Sequence, residues 1–307
     1  MPASAARSRP VPWQVHFGVL TSVWGASFLF IKVADRGLAP IDVALARLAL
    51  GAAVLLAALA VTRSPLPRGR GVWRHLAVVA LVGNATPFTL FAYGETRISS
   101  VLAGLWNATT PLLVLLVATF MLPEERPTRR RVAGLVAGFA GVVMVLGPWR
   151  GLGGSELLGQ LMCLGAATCY GVAFPYTRRF LAGRPESGTA LSAGQLLCAT
   201  VQLAVVTVFV GGAPRAVGLD AAASLVALGA LGTGLAYILN YAIVRAAGAT
   251  TAATVTYLIP IVSTLLGVIV LGESLTWNEP LGAAIALGAV AWQGLRGSRG
   301  SGRAPRA

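Results

Sequence analysis

Acidic side chains are scarce in this chain: Asp and Glu number 10 in 307 residues, and charged residues of all kinds make up 11%. A water-facing domain usually carries about 25%. A surface this poor in charge has to face something other than water, and lipid is the simplest partner. Histidine is limited to His16 and His75, and cysteine to Cys163, Cys169 and Cys198, with no CxxC spacing. A metal site and a disulfide framework are therefore disfavoured, and the cysteines read as small apolar residues. A phosphate-binding P-loop is absent, which argues against ATP-driven pumping by this chain. The acids and histidines are scattered, so no cluster suits acid–base or metal-assisted chemistry at a membrane face. Neither a filter motif nor an acidic ring marks a channel. No cofactor is implied, and no stretch alternates with period two over a barrel-like length.

What is abundant is apolar length. Hydrophobic residues are 56% of the chain. Ten runs are long enough to cross a bilayer, which takes about 20 residues as a helix. They fall at roughly 14–33, 40–61, 73–93, 98–121, 131–148, 157–178, 189–210, 222–243, 249–271 and 278–295. Helices follow because a backbone in lipid must satisfy its own hydrogen bonds. The breaks carry turn chemistry or charge, as in Asp35-Arg36-Gly37 and Pro123-Glu124-Glu125-Arg126-Pro127. Arg7 and Arg9 precede the first run, but no small-residue cleavage site follows, so it reads as a retained span.

The net charge of +14 comes from basic residues in short clusters between the runs. With no aromatic-rich basic stripe beside them, they argue against nucleic acid as a partner. With the N-terminus placed in the cytoplasm, eighteen of the 24 Lys and Arg residues fall on the cytoplasmic side and four on the other. That alternation, loop by loop, is the pattern of the positive-inside rule. It predicts a multi-pass protein of the cytoplasmic (inner) membrane with both termini cytoplasmic.

The halves of the chain also match at an offset of 149 residues. Pro111 falls on Pro260, Glu124 on Glu273, and Gly83 on Gly232. After each Pro–Glu pair comes a glycine-spaced apolar helix, with Gly134, Gly138 and Gly141 in one half and Gly282 and Gly288 in the other. Five helices per half is an odd number, so the halves enter the membrane from opposite sides. Inverted repeats of this kind build secondary transporters with a site near the midplane. The expected fold class is an all-α integral membrane protein with ten transmembrane helices as two inverted five-helix repeats. Its parts are a cytoplasmic tail 1–13, a first repeat 14–148, a second repeat 157–295 and a basic cytoplasmic tail 296–307.

Trp24-Gly25-Ala26-Ser27-Phe28 followed by Lys32, Pro40 leading to Arg47, and the Pro111–Glu124 and Pro260–Glu273 pairs resemble EamA-type transporters of the drug/metabolite transporter superfamily. The resemblance covers residues 14–295; the second half departs from it, with Tyr170-Gly171 standing nearest to a second Trp-Gly opening. It implies export of small metabolites, amino acids or related compounds among them, or of drug-like molecules. A multi-pass membrane enzyme or a small-molecule channel is the alternative. The expected partners are a small-molecule substrate and the lipid bilayer; a monomer and a homodimer are both compatible with the sequence.

Candidate site residues follow from cost. An ionisable group in a membrane helix costs about 2.5–3.5 kcal/mol on insertion scales, so Arg47, well inside the second run, is expected to face inward, with Asp42 as a possible partner. Lys32 is divided between snorkelling to headgroups and a place at the cavity mouth. Trp24, Asn84, Tyr93, Trp106, Asn107, Tyr170, Tyr237, Asn240, Tyr241 and Tyr257 supply the aromatic and amide groups that suit a small-molecule cavity. Trp13, Trp73, Trp149 and Trp277 stand at helix ends and read as an interfacial belt. Glu95 and Arg97 read as a solvated loop. Glu124 and Glu273, near helix ends, read as charge-neutralising or capping groups. Pro111 and Pro260 are hinge candidates, since each removes a backbone hydrogen bond.

Overall fold

The computed structural model describes residues 12–121, 129–147, 149, 154–210, 217–247, 252 and 255–294. Among these residues there is no strand, and ten helical spans succeed one another. They are α1 Trp13–Ala34, α2 Pro40–Val61, α3 Arg70–Glu95, α4 Ser100–Met121 and α5 Arg129–Leu146. The second set is α6 Gly154–Phe180, α7 Gly188–Val210, α8 Leu219–Ala246, α9 Val255–Leu271 and α10 Asn278–Gly294. Seven of them, α1 to α4 and α6 to α8, are both long and apolar enough to cross a membrane; α5, α9 and α10 are shorter.

Local chemistry sets the ends. Pro40 opens α2, where its missing N–H costs nothing. Ser99 caps α4 by accepting from the Leu102 N–H at 3.1 Å, and Ser187 does the same for α7 through Ala190 at 3.1 Å. Within the spans, Ser22, Thr89, Thr119, Thr168, Thr200 and Thr207 each donate to the carbonyl four residues back, which hides their hydroxyls from lipid.

Two spans carry a wide π-helical segment, Leu81–Ala85 in α3 and Ala227–Leu235 in α8. At the 149-residue offset the first lies inside the second, with Gly83 on Gly232, so the halves share this feature as well as their prolines. The prolines behave differently. Residues 108–109 interrupt α4 as a turn just before Pro111, whereas Pro260 sits inside an unbroken α9.

The ends of the helices sort into two layers. At one end, which carries most of the arginines, His75 of α3 meets Tyr176 of α6 at 2.9 Å, and Arg179 donates to the Met121 carbonyl at 3.0 Å. At the opposite end, Asn278 donates to the Met144 carbonyl at 3.1 Å, and Trp149 stacks on Trp277 at 5.8 Å. That exposed stack, with Trp13 and Trp73 at the basic end, lies at helix ends. α5 and α10 touch backbone to backbone: a Cβ on Gly141 would come within 2.6 Å of the Gly282 carbonyl oxygen. Such close approach of small residues is how helices pack in lipid, where apolar side chains gain nothing over lipid tails.

Candidate functional site

A cavity of about 290 Å³ lies where the two halves meet, lined by α1 to α4 of the first and α6 to α9 of the second. It runs from Phe28, Ile31 and Phe91 toward Thr177, Ser192 and Tyr241 on the side of the basic end. Its far wall is shut by the edge-to-face pair Phe28–Phe91, with centroids 5.4 Å apart.

Of the residues singled out from sequence, Trp24, Arg47, Asn107, Tyr170, Tyr237, Asn240 and Tyr241 line this cavity. Arg47 is 8% exposed; its Nε donates to the Thr233 hydroxyl at 2.9 Å, and its guanidinium lies over the Phe88 ring at 3.9 Å. It therefore turns to Thr233 and Phe88 rather than to Asp42. Asn84 is fully buried just behind the wall, where it donates to the Tyr237 hydroxyl at 2.7 Å and accepts from Gln195 at 2.5 Å.

The other candidates lie elsewhere. Trp106 is packed in a core cluster that both halves build, and among the described residues its indole N–H has no partner. Tyr93 is half-buried on the far side of α3, packed against the cluster of α2 and α7 side chains. The side chain of Tyr257 and residue Glu124 lie outside the described residues. Lys32 neither snorkels to headgroups nor lines the cavity: it donates to the carbonyls of Glu95 and of Ile98, the latter at 2.7 Å, and so caps the C-terminus of α3.

Glu95 is not in a solvated loop. It is fully buried, and among the described residues neither carboxylate oxygen has a hydrogen-bond partner. The end of α3 is covered by α6, where Gly94 and Gly159 allow backbone contact. Arg97 is half-buried and donates to the Tyr93 carbonyl at 3.0 Å. Glu273 caps the start of α4, accepting from the Ser100 amide at 2.9 Å, the Ser100 hydroxyl at 2.8 Å and the Val101 amide at 3.0 Å. Together, the Phe28–Phe91 pair, the Lys32 cap and the Glu273 cap close the end opposite the basic clusters.

Gln195, Ser192 and Thr233 were missed, although a polar group inside an apolar run was the signal that could have found them. Phe88 carried no signal, because an aromatic in an apolar helix looks like core. Among the described residues no group of three metal-ligating side chains exists, and the cavity wall offers polar contacts to a neutral or anionic organic solute.

An all-helical membrane fold in two repeats, with a cavity between them, defines the class: a multi-pass membrane transporter fold. The EamA-like transporter family model matches twice, at residues 13–147 and 157–293, and the chain belongs to that family. It is 24% identical over 276 residues to an uncharacterized transporter, YoaV, of Bacillus subtilis (strain 168), covering 89% of this chain and 94% of that one. It is 26% identical over 278 residues to an uncharacterized transporter of Archaeoglobus fulgidus, covering 89% and 95%. One solved crystal structure shares the fold, with a TM-score of 0.66 at 24% identity over 94% of this chain and 98% of the other.

Proposed function

We propose that this protein is a secondary transporter that exports small organic solutes across the cytoplasmic membrane, with both termini cytoplasmic, by rocking its two halves about the central cavity. One observation carries the reading: the cavity lies at the interface of the two repeats and is sealed at one end only by side-chain pairs and helix caps that can part. Inverted repeats around a midplane cavity are the architecture of alternating access. The basic loops, on the positive-inside rule, support a closed end that faces outward. Relatives named as transporters favour a carrier over a membrane enzyme.

Purified full-length protein in liposomes tests this. A carrier shows saturable counterflow, in which unlabelled solute on one side drives labelled solute from the other, whereas a channel shows none. Cysteine at Ser192, in a background freed of Cys163, Cys169 and Cys198, is expected to react with impermeant maleimide from the cytoplasmic side in this conformation. Protection by transported solute is expected; labelling from the outer face alone would reverse the assigned direction.

A further inference from the structure

The cavity wall carries, among its described lining residues, one side chain that is charged at neutral pH. Among its described lining residues there is no Asp, Glu, Lys or His; the polar groups are hydroxyls and amides, and the one cation is Arg47. That guanidinium is more than nine-tenths buried. Its Nε is taken by Thr233 and one face by Phe88, which fixes its plane. Among the described residues its two terminal nitrogens have no hydrogen-bond acceptor and no carboxylate pairs with it. Glu95 lies outside the cavity, one turn beyond Phe91, and among the described residues its own oxygens have no hydrogen-bond partner.

Buried polar groups are rarely left without partners, and a buried charge is normally paired. A guanidinium held by one edge, with its forked end on a cavity, fits a planar anionic group such as a carboxylate. The remaining wall is set by Trp24, Phe28, Phe91 and Tyr170, which suit an apolar body. Nothing on the wall would neutralise an ammonium group, and Arg47 would repel it at low dielectric. The volume is at the low end for small-molecule sites, about 300–1,000 Å³.

We propose that the solute is a small organic anion with an apolar body and no cationic group, received by the terminal N–H groups of Arg47. This rests on the transport reading above. The competing role for Arg47 is a structural pin joining α2 to α8, which would affect stability but not discriminate among ligands by charge.

Three probes with the same aromatic body separate these: phenylacetate, phenylalanine and phenethylammonium, an anion, a zwitterion and a cation. Binding to the purified full chain is measured by calorimetry, and counterflow in liposomes. Phenylacetate is expected to bind about tenfold or more tighter than either of the others. Arg47→Gln is expected to weaken phenylacetate binding by about 10- to 100-fold, and Arg47→Lys to weaken it less while keeping the preference for the anion. If Arg47→Gln does not fold, the ranking of the three probes on the unsubstituted protein decides alone. Equal or tighter binding of phenylalanine or phenethylammonium, no binding of phenylacetate, or unchanged affinity in folded Arg47→Gln overturns the proposal. Counterflow of the zwitterion or cation alone overturns it while leaving the transport reading intact. Phenylacetate binding without counterflow of any probe supports the anion site and removes the transport reading.

Discussion

The two halves of this protein make the same joint with different chemistry. Arg47 of α2 bonds to Thr233 in the π segment of α8, and Gln195 of α7 bonds to Asn84 in the π segment of α3. At the offset of 149 residues Asn84 falls on Thr233, and Arg47 falls one residue from Gln195. Each half's second helix thus sends a polar side chain to the widened segment of the other half's third. A π turn leaves backbone carbonyls badly aligned and tends to mark functional sites in helices. One joint is charged and, among the described residues, leaves both terminal nitrogens of its guanidinium without an acceptor at the cavity. The other is neutral: Asn84 also donates to Tyr237, and it is Tyr237 and Gln195, not Asn84, that line the cavity. The repeat has kept the geometry of the joint and placed a charge in only one copy.

The contact that most strictly requires both halves is α5 against α10. Gly141→Val is expected to have the largest effect: its Cβ alone would sit 2.6 Å from the Gly282 oxygen and 2.7 Å from the Ala286 nitrogen, with no flexible side chain to yield. No monodisperse folded protein should be recovered by size exclusion in detergent. Gly288→Val, on the facing helix α10 but with open space around its Cβ, should behave as the unsubstituted chain. If both fold equally, the two halves do not meet through this seam.

Next comes the neutral joint. Asn84→Ala leaves the Gln195 amide and the Tyr237 hydroxyl without their partner in a buried site, a cost of about 1–3 kcal/mol. It should lower thermal stability and leave the charge preference for ligands unchanged. A change in that preference would mean that the neutral joint also reads the charge of the solute.

The prolines sharpen the difference between halves further. In α4 the helix is already interrupted at residues 108–109, Thr109 donates its hydroxyl to the Trp106 carbonyl at 2.7 Å, and among the described residues the Thr110 hydroxyl is buried without a partner. In α9 the helix runs through Pro260, and Ser263 donates to the Pro260 carbonyl at 3.2 Å. If rocking needs a joint in these helices, Pro111→Ala should slow counterflow severalfold, about 1 kcal/mol in the barrier, and Pro260→Ala less. Equal effects would make the prolines equivalent hinges, and no effect of the double replacement would remove the hinge idea.

The repeat was legible from sequence because a mid-helix proline and a glutamate thirteen residues on are rare and recur together. Arg47 was legible because a charge that deep in an apolar run has to be explained. Glu95 was not, because it stands beside Thr96 and Arg97 at a helix break, the setting of an ordinary solvated turn. Its burial comes from α6 closing over the end of α3, a contact 60 or more residues away in the chain that leaves no periodic trace. Lys32 was weighed for its charge, yet its function here is set by the carbonyls that the α3 terminus happens to present. Asn84, Gln195 and Thr233 make sense only as a pair of joints, and pairing across an inverted repeat is visible once the helices are assembled.

The smallest expected effect tests the ends of the first helix in each half. Asp35 follows α1, and at the 149-residue offset it falls on Arg184, beyond the end of α6. Arg184 donates to the Phe180 carbonyl at 3.1 Å and so satisfies a helix C-terminus with a cation. Asp35 puts an acid at the matching position, against the helix dipole, and among the described residues both its oxygens are buried without a partner. Burial pushes its carboxyl up to about 7, with the nearby Lys32 opposing. The folded state therefore binds this proton more tightly than the unfolded chain, whose Asp titrates near 3.9. Ionising Asp35 costs stability: the cost is absent below about pH 4, grows as pH rises toward 7 and is complete above it. Asp35→Asn should therefore raise thermal stability at pH 8 and lose that advantage by pH 4. Arg184→Gln should lower stability slightly and equally at both. Melting curves of the two variants across that range compare the halves directly, and an Asp35→Asn advantage that does not shrink on acidification would place the cost in packing rather than in charge.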